Sequence, residues 1–282
     1  MTMLEVEGLT KSYVRRRDVF GRATDRVDAV SGVSLMLGRG ETLAIVGESG
    51  AGKSTVGRLI LRLIEPHQGR ILLDGVDLRA LSRSQLRASR RHMQMIFQDP
   101  FSSLDPRMTI GESVAEPMLL HLGLPKAERK ERAGALLRRV GLDETYADRL
   151  PAGLSGGQLQ RVAIARALTL NPKIIVCDEP VAALDVSVRA QVLNLMAELQ
   201  EEFGVSYLFI SHDLSIVRAI SDRVAVMSKG RIVETGPTEQ IFGAPVDDYT
   251  IELIRAIPRL AHALTPVSGA FAEGRARHAV GE

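Results

Sequence analysis

A chain of 282 residues, 45% hydrophobic and 25% charged, has the size and composition of a globular protein with a substantial core, in one large domain or two smaller ones. Its formal net charge of +2 gives no general reason to expect a nucleic-acid partner. No apolar run approaches the roughly 18–20 residues that span a bilayer. The start Met1-Thr2-Met3-Leu4-Glu5 lacks the basic stretch and apolar segment of a secretory signal, so a role at a membrane would need another polypeptide to do the spanning.

Residues 3–8 and 28–36 alternate as strands do, and Leu37-Gly38-Arg39-Gly40 turns the chain back. Residues 42–46 are continuously apolar, as expected of a strand buried on both faces. After a Gly-rich loop, residues 55–64 read as a helix ended by Glu65-Pro66, followed by a short strand at 71–73 and a turn at Asp74-Gly75. A mostly helical stretch covers about 109–170, with helices at 127–140 and 155–170. Strand character returns at 174–177, then helix at 186–203, strand at 205–210, helix at 214–220 and strand at 224–227. This alternation predicts an α/β fold with a mainly parallel sheet, into which the helical block about 109–170 is inserted. The ordered domain is expected over 3–260. Residues 261–282, rich in Ala, Gly and Arg without periodicity, read as a flexible tail.

The clusters Arg15-Arg16-Arg17 and Arg87, Arg90, Arg91 read as solvated surface, and Met93, Met95 and Met108 as core filler. Cys177, the single cysteine, cannot form an internal disulfide. Its apolar setting predicts a buried, inert thiol.

Gly47-Glu48-Ser49-Gly50-Ala51-Gly52-Lys53-Ser54 fits the pattern G-x-x-x-x-G-K-[ST], with a buried strand before it and a helix after it. Its glycines let backbone N–H groups converge on a β-phosphate. Lys53 supplies a point charge near the β- and γ-phosphates, the Ser54 hydroxyl is placed to ligate Mg²⁺, and Thr55 begins a helix whose positive end faces the phosphates. This pattern gives a ligand and no purpose, since kinases, GTPases and ATPases share it.

The apolar residues 174–177 deliver Asp178 and Glu179 to a strand end. An acid there, Asp178, can hold Mg²⁺, and Glu179 can polarise an attacking water. Ser155 precedes Gly156-Gly157-Gln158 at the start of a strong helix pattern. Its hydroxyl, the bare glycine amides and the helix dipole make a second receptor for phosphate.

With Leu154-Ser155-Gly156-Gly157-Gln158 the chain resembles the ATP-binding subunits of ABC transporters, whose signature contacts the ATP held by the phosphate loop of the opposite subunit. The resemblance covers roughly residues 3–260 and implies a P-loop NTPase with an N-terminal antiparallel β subdomain and an inserted α-helical subdomain. It also implies roles for single residues. Tyr13, on what reads as a polar turn, matches the aromatic that stacks on adenine. Gln98, in Ile96-Phe97-Gln98-Asp99-Pro100, matches the loop glutamine that senses the γ-phosphate and adjoins the membrane subunit, and as a neutral group it is able to meet metal or water. Ala183-Leu184-Asp185 matches the loop linking the two sites of a dimer, and His212 the switch histidine.

More narrowly, residues 97–106 and 180–187, with Tyr249-Thr250 and Ile257-Pro258, resemble the dipeptide/oligopeptide importer ATPases, and the basic segment between Tyr13 and Val30 resembles an insertion of one of their two subunits. That resemblance implies an ATPase using ATP and Mg²⁺ at the cytoplasmic face of the membrane. Its implied partners are two integral membrane permease subunits, a second ATP-binding subunit (a related chain or a second copy) and, indirectly, an extracytoplasmic solute-binding protein. Some members carry an iron–sulfur centre on clustered cysteines, which Cys177 alone cannot supply. The alternatives are the same machine for nickel, glutathione or another small solute, or a soluble ABC ATPase without transport. The signature and His212 argue against a P-loop kinase or switch.

Overall fold

The structure, a computed structural model, describes residues 2–17 and 23–256. The tail expected at 261–282, the pair Ile257-Pro258 and part of the basic segment after Tyr13 lie outside the described residues. The chain forms two compact units, one from the stretch ending at Leu86 together with that beginning at Ser206, the other from Arg87 to Val205.

In the first unit β1 (Thr2–Arg17) pairs with β2 (Ala23–Gly38) on one side and β4 (Gln68–Leu73) on the other, and β5 (Val76–Asp77) extends β4. The order β2-β1-β4-β5 makes a wholly antiparallel sheet. Along β2, Val33, Leu35 and Leu37 are buried while Ser34 and Met36 face solvent, the two-residue period of a half-buried strand. Tyr13, read from the sequence as lying on a turn, is within β1 opposite Val27.

The strand β3 (Thr42–Val46) is buried throughout and leads into the Gly-rich loop. The helix α1 (Lys53–Ile60) begins two residues before, and ends four before, the bounds read from the sequence. It begins early because Gly52 takes a left-handed conformation that starts the first turn. It ends early because Arg62 is itself left-handed, its guanidinium donating to the Leu78 carbonyl and pairing with Glu65. The helix α2 (Arg83–Ser89) follows.

The second unit opens on β6 (Met93–Ile96), a strand the sequence reading passed over because Gln94 breaks its apolar run. Three helices pack together after it: α3 (Ile110–Leu122), α4 (Lys126–Arg139) and α5 (Gly156–Leu168). A Thr109–Glu112 capping box opens α3, and left-handed Gly123 closes it. Arg166 on α5 ties this bundle together, donating to Glu116 of α3 and to the Ser103 carbonyl, both at 2.8 Å. The fully buried β7 (Ile174–Asp178) runs parallel to β6, and α6 (Val186–Phe203) follows.

Returning to the first unit, β8 (Ser206–Ile210) lies parallel to β3 on one side, and after α7 (Leu214–Ile220), β9 (Arg223–Ser228) lies parallel to it on the other. A tight turn with positive φ at Lys229 and Gly230 reverses the chain into β10 (Arg231–Pro237), antiparallel to β9. The helices α8 (Thr238–Gly243) and α9 (Asp248–Arg255) cover one face, with Ile241 of α8 in one cluster with Val46, Val224 and Val226. No helix among the described residues is long and apolar enough to cross a membrane.

Phe209 on β8 is among the largest fully buried side chains. Phe209→Ala should destabilise the protein by about 3–5 kcal/mol, since the cavity adds to the lost transfer energy. A urea midpoint unchanged from the parent would contradict this placement of the core.

Candidate functional site

In the first unit the loop 47–54 is shaped by close approach of backbone. A Cβ on Gly47 would come within 2.0 Å of the Met227 carbonyl oxygen, and one on Gly52 within 2.1 Å of the Ala29 oxygen. Both glycines also have positive φ, so only residues without side chains fit. Lys53 is 5% exposed, and its ammonium donates to the carbonyls of Gly47 at 2.7 Å and Glu48 at 2.9 Å. The Glu48 carbonyl also accepts from Ala51 N–H at 3.2 Å, closing the turn.

The loop fits a phosphate group on two counts. Its concave backbone has no space for side chains at Gly47 and Gly52. The start of α1 has no side-chain cap, the role that a side-chain oxygen fills at the starts of α3, α5, α6, α7 and α9. Ser54 and Thr55 are in the first turn of α1, half-buried, and Ser49 and Gly50 are exposed on the loop while Ala51 is buried.

His212 follows β8 and is exposed. The adjacent Ser211 donates its N–H to the Ile45 carbonyl at 3.2 Å, which fixes the end of β8 beside the end of the strand feeding the loop. Parallel strands that end together place their following loops at one edge, where ligands of open α/β sheets bind. Tyr13 is 45% exposed, with the Lys11 ammonium 5.7 Å from its ring centre.

In the second unit β7 ends in Asp178, which is 4% exposed, followed by Glu179 at φ 48°. A left-handed backbone is strained for a residue with a side chain, and here it turns Glu179 out of the strand direction. The Glu179 carboxylate accepts from the Gln98 side-chain amide at 3.1 Å, so two sequence-assigned residues lie in direct contact. The segment following Gln98 is held by Arg166 through Ser103.

Ser155 caps α5 in a reciprocal box: its hydroxyl accepts from Gln158 N–H at 3.4 Å and its own N–H donates to Gln158 Oε1 at 2.9 Å. Tyr146 fixes Gln158 from the other end at 2.9 Å. Gly156 and Gly157 lie close against Leu184 and Val188; a Cβ on Gly157 would meet Val188 Cγ1 at 2.4 Å. Asp185 caps α6 and accepts from Val188 N–H and the Ser187 hydroxyl, which hold its carboxyl below the usual range. The signature therefore sits on the loop 183–185 and the start of α6.

A family model described as "ABC transporter" matches residues 30–182. The oligopeptide transport ATP-binding protein AppF of Bacillus subtilis is 52% identical over 258 residues, covering 91% of this chain and 78% of that one. The chain belongs to the ABC transporter family.

It is accordingly an ATPase that binds adenine nucleotide. The glutathione import ATP-binding protein GsiA of Pectobacterium atrosepticum is 50% identical over 256 residues, and the chain spans 41% of its length. Among solved structures, the dimeric post-hydrolysis state of the ATP-binding cassette MJ0796 bound to ADP and Pi is similar at TM-score 0.74 and 32% identity, covering 84% of this chain and 99% of that one. This ABC ATPase has the expected P-loop architecture, with an antiparallel N-terminal sheet beside strands paired in parallel.

Sequence reasoning did not find the carbonyls of Met227 and Ala29, which no local pattern marks as neighbours of the loop. It also gave no role to Tyr249, whose phenol oxygen accepts from Glu48 N–H at 3.1 Å. Cys177, on β7, is fully buried, and burial, followed by the neighbouring Asp178 charge, pushes its thiol well above its ordinary range. The native protein should therefore release no colour from a thiol-exchange reagent at neutral pH, while the urea-unfolded chain reacts fully; rapid labelling of the native protein would show that β7 opens.

Proposed function

We propose that this chain is the ATP-hydrolysing subunit of an importer, coupling ATP binding and hydrolysis to the uptake of peptides. The observation that carries the cargo is the 52% identity over 258 residues to an oligopeptide transport ATP-binding protein. The dimeric solved relative supports pairing with a second ATP-binding subunit, a related chain or a second copy. Two permease subunits would span the membrane at whose cytoplasmic face this one sits, with an extracytoplasmic solute-binding protein delivering the cargo. A single ATP-binding domain over 3–260 is proposed as the working unit.

Within it, the amides of the 47–54 loop and the Lys53 ammonium bind the β- and γ-phosphates, and Tyr13 stacks on adenine. Ser54, Asp178 and Gln98 offer hydroxyl, carboxylate and amide oxygens, a hard-donor set suited to Mg²⁺. When bound, magnesium neutralises charge on the phosphate oxygens. Glu179 takes the proton of the attacking water, its orientation set by the left-handed backbone and by the Gln98 amide. His212 donates a hydrogen bond to phosphate.

Ser155, Gly156, Gly157 and Gln158 receive the γ-phosphate of nucleotide held by the other subunit. The Ser155 hydroxyl accepts from its own helix, which leaves its proton to donate outward. The closed dimer is favoured with ATP because only that form offers both halves of the phosphate site.

Glu179→Gln should keep ATP affinity while turnover falls by about 10²–10⁴, the range for loss of a general base. Parental turnover would remove Glu179 from this role. The importer itself is tested by gentle detergent extraction with the chain tagged: two multi-spanning proteins and an ATP-binding subunit should co-purify, and recovery with soluble partners only would contradict the transport assignment.

A further inference from the structure

The pair Tyr249-Thr250, which the catalytic roles leave without a task, lies where α9 meets the phosphate loop. The peptide unit joining Gly47 to Glu48 is planar, with its carbonyl and N–H pointing in opposite directions. Its carbonyl accepts from the Lys53 ammonium at 2.7 Å. Its N–H donates to the Tyr249 phenol oxygen at 3.1 Å. The plane is thus held from both sides, and it cannot rotate without breaking one bond or the other.

We propose that Tyr249 is a positioning residue for the phosphate loop: by holding the 47–48 peptide plane it keeps a carbonyl on Lys53 and the loop in its phosphate-binding shape. This rests on the nucleotide reading of that loop. The position of Tyr249 is itself well supported. Its ring packs against the core cluster that includes Val46, the residue just before Gly47. Asp247 caps α9, accepting from Tyr249 N–H at 3.0 Å. The buried carboxylate of Glu234, on β10, accepts the N–H groups of Val246 at 3.0 Å and Asp247 at 3.1 Å. Burial alone would raise the Glu234 carboxyl, but these amides and Thr250 outweigh it and hold it below the usual range. A charged anchor thereby fixes the start of α9, and α9 fixes the phenol.

The test is Tyr249→Phe, which keeps the ring and removes the hydroxyl, set beside Leu253→Ala, which thins α9 packing and leaves the hydroxyl. Both are made in the full chain, and binding of trinitrophenyl-ATP with magnesium is read together with the nucleotide-free unfolding temperature. Tyr249→Phe should raise Kd about 3- to 10-fold, the scale of one hydrogen bond, with little change in unfolding temperature. Leu253→Ala should lower the unfolding temperature and leave Kd near parental. An unchanged Kd in Tyr249→Phe would overturn the proposal. So would equal weakening in both variants, because α9 would then serve only as packing. Absence of binding by the parent protein would instead refute the nucleotide reading of the loop.

Discussion

Lys53 carries a positive charge at 5% exposure, and the shape of the loop around it follows from that. A buried ammonium is tolerable only when oxygens surround it, and two loop carbonyls turn inward to meet it. Turning them inward requires the backbone to run close to Met227 and Ala29, which is why Gly47 and Gly52 have no room for a Cβ. The strand β3 holds the entry to the loop because it is buried on both faces between β8 and β9. The peptide hydrogen bond to Tyr249 completes the same restraint from the C-terminal side.

The second unit meets a different problem, presenting polar groups at the ends of apolar elements. Asp178 ends a fully buried strand, and Glu179 follows it in a left-handed backbone conformation. The Gln98 amide then gives Glu179 a neutral hydrogen-bond partner. At the start of α5, the capping box fixes Ser155 and Gln158 to each other, and Gly157 lets the helix start approach Val188. Arg166, in the last turn of α5, links that helix to Ser103 in the segment beyond Gln98. The signature helix and the glutamine segment therefore share one rigid support.

The sequence by itself determined what depends on local order. The loop 47–54, the strand end at Asp178-Glu179 and the capped start at Ser155 are contiguous patterns whose chemistry follows from residue type and spacing, and α6 and α7 appear at the bounds their periodicity marks. Tertiary structure decided what depends on residues far apart in the chain. Arg62, bonded to Leu78 and Glu65, stops α1 short of the residue where the proline would have ended it. Gln94 hid β6, which exists because β7 supplies its hydrogen bonds. Tyr13 joined a strand because Val27 pairs opposite it, and Tyr249 reached Glu48 because Glu234 anchors the start of α9. Side-chain periodicity records which face of an element is buried, but it carries no information about which distant backbone group will lie against it.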